Sequence, residues 1–210
     1  KNGGGRELLD KNVYAYIIKR RLYGALPELE WLRKESYSYH KAKRIPHVKG
    51  CEAMAAYLAE KWGADVESAR EAGILHDITK KLGLGEQLIL CGEYGILIDD
   101  LERKSEKLLH SKTGAAFARD FYGISDEVYE AIRWHTTGKA DMTTLEKVLY
   151  MADYIEPTRR FDGVEELRRL CDEDLDRAMA RGLEMSVEEL EEKGVAVHPK
   201  TLEALEFYKK

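Results

Sequence analysis

Proline is scarce in this sequence, with four in 210 residues, and cysteine scarcer still, with three. Few prolines and a 35% charged content rich in Glu and Lys disfavour a strand-and-turn architecture and favour helices. Cys51, Cys91 and Cys171 lie far apart with no CxxC spacing. An odd number so spaced excludes a small disulfide framework and predicts a reducing compartment. There is no excess of positive charge: 34 basic against 39 acidic residues give a net charge of −5. A general pull toward nucleic acid or an anionic bilayer is therefore absent, and any phosphate recognition must be local. No apolar run approaches the roughly 20 residues of a membrane-spanning helix, and no secretory leader pattern is visible. These absences predict a soluble, cytoplasmic, all-α protein with no nucleic-acid or membrane role.

Helical periodicity fills most of what remains. Asp10 caps a first helix through Val13, Tyr16, Ile17 and Leu22, ended by Gly24. Pro27 opens a second, carrying Leu29 and Leu32. From Pro46 to Trp62, Val48, Cys51, Ala55 and Leu58 share a face, with Gly63 as the stop. Asp65 caps the next helix, which buries Ala69, Ala72 and Gly73 and is expected to run to Gly83. Only a short helix, Gln87 to Cys91, is expected between Leu84 and Asp100. Further helices follow at Leu108–Phe121, Ser125–His135 and from Thr143, where Thr143 and Glu146 form a capping box, to Glu156 before Pro157. The last three are placed at Val164–Leu170, Asp174–Lys193 and Pro199–Tyr208, with "GVAVHP" as a short extended break. No repeat or low-complexity tract appears beyond the glycines at 3–5.

The six histidines carry the chemistry. His76 and Asp77 are adjacent at the end of an apolar segment, "AGILHD", where a lone carboxylate would be costly to bury. One histidine on an apolar helix face is more often a satisfied core residue than a ligand. His47, His110, His135 and Asp153 nevertheless repeat the pattern: a ligand-type side chain at a helix end or on an otherwise apolar face. A divalent metal compensates buried carboxylate, and neutral imidazole is its commonest nitrogen partner. Consecutive helical residues point about 100° apart, so His76 and Asp77 can reach one centre only near a helix end. His47 and Asp153 are of the right type to complete it.

His47, then "HD" at His76–Asp77, then Asp153 resembles the signature of the HD-domain metal-dependent phosphohydrolases. The surrounding "RIPHV", "AGILHDITK", "HSKTGA", "AIRWHTTG", "LEKVLYMADYIEPTRRFDGVEELR" and "VHPKTLEA" are similar, in order, to one bacterial branch. That branch is the symmetrical bis(5'-nucleosyl)-tetraphosphatases, which split diadenosine tetraphosphate into two ADP. The resemblance runs from about Arg44 to Tyr208 and implies an HD-domain helical bundle over residues 25–210. It implies two divalent metal ions, iron first, with manganese, zinc and nickel also compatible with the ligands. His47, His76, Asp77 and Asp153 would hold one ion, and His110 and His135 the second, with Asp77 bridging. Two such ions can clamp a phosphoryl group and lower the pKa of a shared water, whose hydroxide attacks phosphorus in line.

Asp77 and Lys80 are the candidate catalytic residues. Lys80 lies one helical turn beyond Asp77, and Lys80, Arg44 and Arg159 are candidates for binding the polyphosphate. Thr136, Thr137 and Gly138 resemble the family's "HTxG" element and could bind phosphate or simply end a helix. Glu156 could orient a ligand or sit on the surface. Arg160 reads as surface, His198 as the cap of the last helix, and His40 has no assigned role; Trp62, Trp134 and Tyr150 read as core, with one aromatic near His135 able to stack on a base. Ile78 and Thr79 stand where the family commonly has an aromatic or larger residue. Residues 1–24, "KNGGGRELLDKNVYAYIIKRRLYG", resemble the C-terminal end of bacterial nicotinate-nucleotide adenylyltransferases, which implies an upstream fusion. A homodimer is expected by analogy. The rival expectations are a broader HD nucleotidase on nucleoside di- or triphosphates and a non-catalytic nucleotide-sensing domain.

Overall fold

The computed structural model describes residues 8–210; the three glycines at 3–5 lie outside them. Among the described residues there are eleven α-helices, three short 3₁₀ segments and no strand. The helices are α1 Lys11–Lys19, α2 Leu29–Ser38, α3 Ile45–Trp62, α4 Val66–Leu75, α5 Leu84–Glu93 and α6 Glu106–Tyr122. They continue as α7 Asp126–Trp134, α8 Thr144–Ile155, α9 Val164–Glu173, α10 Leu175–Glu192 and α11 Pro199–Tyr208. Among the described residues no helix is long and apolar enough to cross a membrane. The three cysteines are buried and free.

Local chemistry explains most boundaries. The carboxylates of Asp10, Asp65 and Asp174 and the hydroxyls of Ser125 and Thr143 accept first-turn N–H groups of their helices, as their sequence positions imply. Glu146 returns its side chain to the Thr143 N–H and completes the capping box. Gly63 and Gly123 end α3 and α6 in the left-handed conformation.

Several boundaries differ from the expectation, and at four of them a specific contact gives the reason. The helix capped by Asp65 stops at Leu75 and does not reach Gly83. Beyond it the chain tightens into three-residue turns, Ile78 N–H to Leu75 O and Lys80 N–H to Asp77 O. Thr79 then bonds outward to the His110 carbonyl and receives the Gln87 amide on its own carbonyl, so side chains replace the helical ladder. The short helix expected at Gln87–Cys91 extends over all of α5, because Glu86 reaches back to the Gly83 N–H at 2.8 Å. α1 ends at Lys19, before Gly24, because Arg21 turns to φ +47° and bonds Gly123 O and Glu71. α2 begins at Leu29, two residues after Pro27, with the Glu28 N–H held by the Tyr14 hydroxyl at 2.9 Å.

The core lies between α3, α4, α7 and α8, where Leu58, Ile74, Leu75, Ile132 and Leu149 are fully enclosed. α3 and α4 approach unusually closely. A Cβ on Gly73 would lie 2.8 Å from the Glu52 Cα, so only glycine permits the crossing. This packing brings the ends of five helices to one place.

Candidate metal centre and its cavity

His47 stands in the first turn of α3, just after Pro46, and His76 caps the C-terminus of α4 with Asp77 next to it. His110 lies in the first turns of α6, His135 caps α7, and Asp153 occupies the last turn of α8. All six converge. The end of α4 resolves the geometric difficulty of adjacent ligands: once the helix stops at Leu75, both side chains aim the same way.

Two sets of donors share Asp77. Around its Oδ2 lie His76 Nε2 at 3.5 Å and His47 Nε2 at 3.8 Å, with His47 Nε2 3.1 Å from Asp153 Oδ1. Around its Oδ1 lie His110 Nε2 at 3.2 Å and His135 Nε2 at 3.7 Å. The carboxylate is fully buried, and its Oδ1 has no hydrogen-bond partner.

The four imidazoles are all turned the same way. His76 Nδ1 donates to Gly73 O at 2.8 Å, His110 Nδ1 to Lys107 O at 2.7 Å and His135 Nδ1 to Ile132 O at 2.7 Å. His47 Nδ1 donates to the Glu156 carboxylate at 3.0 Å. Carbonyl and carboxylate oxygens only accept, so each ring carries its proton on Nδ1 and presents a bare Nε2 inward. His47 and His76 Nε2 are then 3.3 Å apart, and His110 and His135 Nε2 3.1 Å apart, with no proton between them. Lone pairs so placed, beside a buried carboxylate oxygen that lacks a partner, fit a cation. Imidazole nitrogen with carboxylate oxygen suits a borderline divalent ion.

The charges agree. Burial works to raise the Asp77 carboxyl, but the basic groups around it, the Lys80 ammonium among them, outweigh it and hold it well below the carboxylate range. Asp153 is also held low, its burial outweighed by basic neighbours, the Arg159 guanidinium bonded to it among them. Burial, aided by Lys80, pulls His110 down to about 4, which keeps its ring neutral. Glu156 is fully buried against His47, not on the surface; its place just before Pro157 gave no sign of that depth.

Lys80 and Thr136 line a cavity of about 620 Å³ whose floor includes His110, His135 and Asp153. Lys80 Nζ donates to His110 Nε2 at 2.9 Å and lies 3.5 Å from Asp77 Oδ1. Arg44 and Arg159 are not among the cavity's lining residues. Arg44 bonds Asp77 Oδ2 through both Nε and Nη2, and Arg159 bonds Asp153 at 2.7 Å. Thr137 and Gly138 are also set apart from the lining: Thr137 Oγ1 bonds the Gly138 carbonyl, and a Cβ on Gly138 would meet Leu183 and Ala204. Arg160 is exposed. His40, half-buried with its ring 3.5 Å from Ser36 Oγ, is lowered by burial to about 4.

Sequence reading missed the cavity's far walls. Tyr150 is buried in the core, as read, and also lines the cavity, as do Tyr154 one turn later, Lys104 and Lys107 before and after the α6 N-cap, and Val195 of the extended break. The spacing of Tyr150 and Tyr154 was the only available signal. A third cluster, Asp99, Glu102 and His198, has metal-type donors but a different chemistry. His198 Nδ1 accepts the Lys200 N–H, so Nε2 carries the proton and donates to Asp99 at 2.8 Å. Glu102 is taken by Lys112 at 2.5 Å. This cluster is a satisfied clasp, and His198 caps α11 as expected.

An all-α scaffold that gathers His47, His76–Asp77 and Asp153 in that order around one buried carboxylate defines a metal-dependent hydrolase of HD type. The chain belongs to the HD domain family, which it matches over residues 44–158, and within it to the symmetrical bis(5'-nucleosyl)-tetraphosphatases. It is 39% identical over 160 residues to such an enzyme from Halalkalibacterium halodurans, covering 76% of this chain and 85% of that one. It is 29% identical over 156 residues to a "probable nicotinate-nucleotide adenylyltransferase/Ap4A hydrolase" from Mycoplasma genitalium, covering 74% of this chain and 41% of that one. Among solved structures it resembles a "predicted HD superfamily hydrolase involved in NAD metabolism" from Clostridium acetobutylicum, with a TM-score of 0.84. The two are 34% identical, with 88% of this chain and 98% of that one covered.

Proposed function

We infer that this protein is a metal-dependent hydrolase that splits diadenosine tetraphosphate symmetrically into two ADP. The observation that carries the reading is the buried Asp77 carboxylate, whose two oxygens face two sets of bare imidazole nitrogens beside a cavity lined by His110, His135 and Asp153. His47, His76, Asp77 and Asp153 would hold one divalent ion and Asp77, His110 and His135 a second, with iron the first choice. The bound metal supplies Lewis-acid polarisation and activates water for attack on phosphorus.

The side chains supply the rest. Asp77 and Asp153 stay ionised at neutral pH and so remain ligands. Lys80, at the cavity floor, faces the charge that develops on the departing ADP. Thr136 offers a hydroxyl beside it. Arg44 and Arg159 each spend two of about five N–H donors on Asp77 or Asp153, which leaves donors for a phosphate oxygen. Thr137 and Gly138 would act by shaping the turn after His135.

The Mycoplasma relative supports a nicotinate-nucleotide adenylyltransferase domain fused upstream, with residues 1–24 at the junction and 25–210 as the hydrolase domain. The full reading frame tests that. The free cysteines suit a reducing cytoplasm. A homodimer is tested by sedimentation.

The activity test is product analysis of iron- or manganese-loaded protein with diadenosine tetraphosphate. ADP alone is the expected product, and Asp77→Ala should lose turnover and metal together. ATP with AMP would move the attack to an outer phosphorus and overturn the assignment. Metal without turnover would favour another nucleotide substrate or the sensing domain.

A further inference from the structure

The cavity has two unlike walls. α8 and α10 contribute Tyr150, Tyr154, Ser186 and Leu190, an aromatic and aliphatic surface that carries three hydroxyls and no net positive charge. The segment from Leu101 to Leu108 contributes Lys104 and Lys107, both exposed at the rim. On the first wall the single lysine, Lys193, is paired with Glu189. On the second, neither Lys104 nor Lys107 makes an ion pair with a described residue.

The reason lies in the clasp behind them. Asp99 is engaged by His198 and Glu102 by Lys112, so the carboxylates of this wall that could neutralise the lysines are already spent. Asp100 and Glu106 do not line the cavity. One free surface lysine is ordinary. Here two such lysines share a cavity with Lys80 in a chain whose net charge is −5. The dipole of α6, which begins between them, adds to the same field.

A dinucleoside tetraphosphate is symmetric about its central oxygen. With that oxygen at the metal ligands, equal lengths of substrate extend either way, but the two walls are not equal. We propose that the site holds the two halves differently. One nucleoside lies against Tyr150, Tyr154 and Leu190, and the phosphates of the other half lie on Lys104 and Lys107. The second nucleoside is then recognised by the charge attached to it and not by its base. Adenosine 5'-tetraphosphate, which lacks that nucleoside, therefore becomes a substrate: water adds across the central P–O–P bond to give ADP and pyrophosphate.

This rests on the tetraphosphatase reading, and the experiment separates the two. Wild-type turnover of diadenosine tetraphosphate tests the reading itself. Given that turnover, Lys104→Gln/Lys107→Gln should raise its KM about tenfold, with kcat falling less than about twofold. Inhibition by ADP alone, which needs only the tyrosine wall and the floor, should weaken by less than about twofold. Wild-type enzyme should cleave adenosine 5'-tetraphosphate, and the same variant should raise that KM in step. An unchanged KM overturns the inference, as does an ADP inhibition constant that rises in parallel. So does failure to cleave adenosine 5'-tetraphosphate while the dinucleotide is cleaved. In each case the tetraphosphatase activity itself still stands.

Discussion

Gly50 has no functional group, yet the aim of His47 depends on it. A Cβ at that position would overlap the Glu156 carboxylate, which is the partner of His47 Nδ1. Gly50→Ala should therefore push Glu156 away and weaken metal binding about 10- to 100-fold, the usual cost of losing an orienting partner. A metal titration of purified protein checks this, and unchanged affinity would dismiss the link. At this scale the sequence was partly readable. His47, His76, Asp77, His110, His135 and Asp153 could be named because imidazole and carboxylate types recur at helix ends. Glu156 and Gly50 could not be ranked, because their importance arises from a contact 106 residues apart in the chain. Tyr150 is core, as its apolar helix implies, but no periodicity shows that a core residue also walls a cavity.

Helix beginnings were legible and helix ends less so. A cap is written in one or two residues, as at Asp65 or Thr143, whereas the stop of α4 at Leu75 is imposed by partners in α5 and α6. That early stop lets two neighbouring residues serve one centre. The loops around the cavity illustrate the same dependence. "GVAVHP" reads correctly as an extended break, but its purpose appears only when His198 meets Asp99 across 99 residues. That bond ties the extended break to the segment that carries Lys104. His198→Ala removes both the bond and the α11 cap. It should lower stability by about 1–3 kcal/mol and raise the KM for the dinucleotide several-fold. Denaturant melts and steady-state kinetics give the two numbers. A loss of stability with KM unmoved would leave the clasp a purely structural device.

For the whole molecule, the open issue is where the hydrolase domain begins. α1 belongs by sequence to the segment that resembles an adenylyltransferase end, yet Ile18 is 1% exposed and Tyr14 stacks edge-on against Trp31 at 5.0 Å. Trp31 in turn meets Tyr122 of α6 at 5.8 Å. Arg21 fastens the end of the segment to Gly123 and Glu71 at 2.6 Å each. Ile18→Ala should cost about 2–4 kcal/mol, as for any enclosed aliphatic side chain. Urea unfolding measures it, and a change near zero would make the segment an appendage. Composition and periodicity foretold an all-α chain, but they could not tell a terminal helix that borrows the core from one that merely precedes it.

Three of the four imidazoles are steered by the carbonyl three residues earlier in their own chain: His76 by Gly73, His110 by Lys107 and His135 by Ile132. Each is a self-contained unit of four residues, transplantable in principle to any helix end that points the right way. His47 is the exception, since its acceptor lies 109 positions distant. A designer copying this centre into another bundle could carry three ligands as short cassettes. The fourth would have to be engineered as a long-range pair, and that pair would decide whether the copy works.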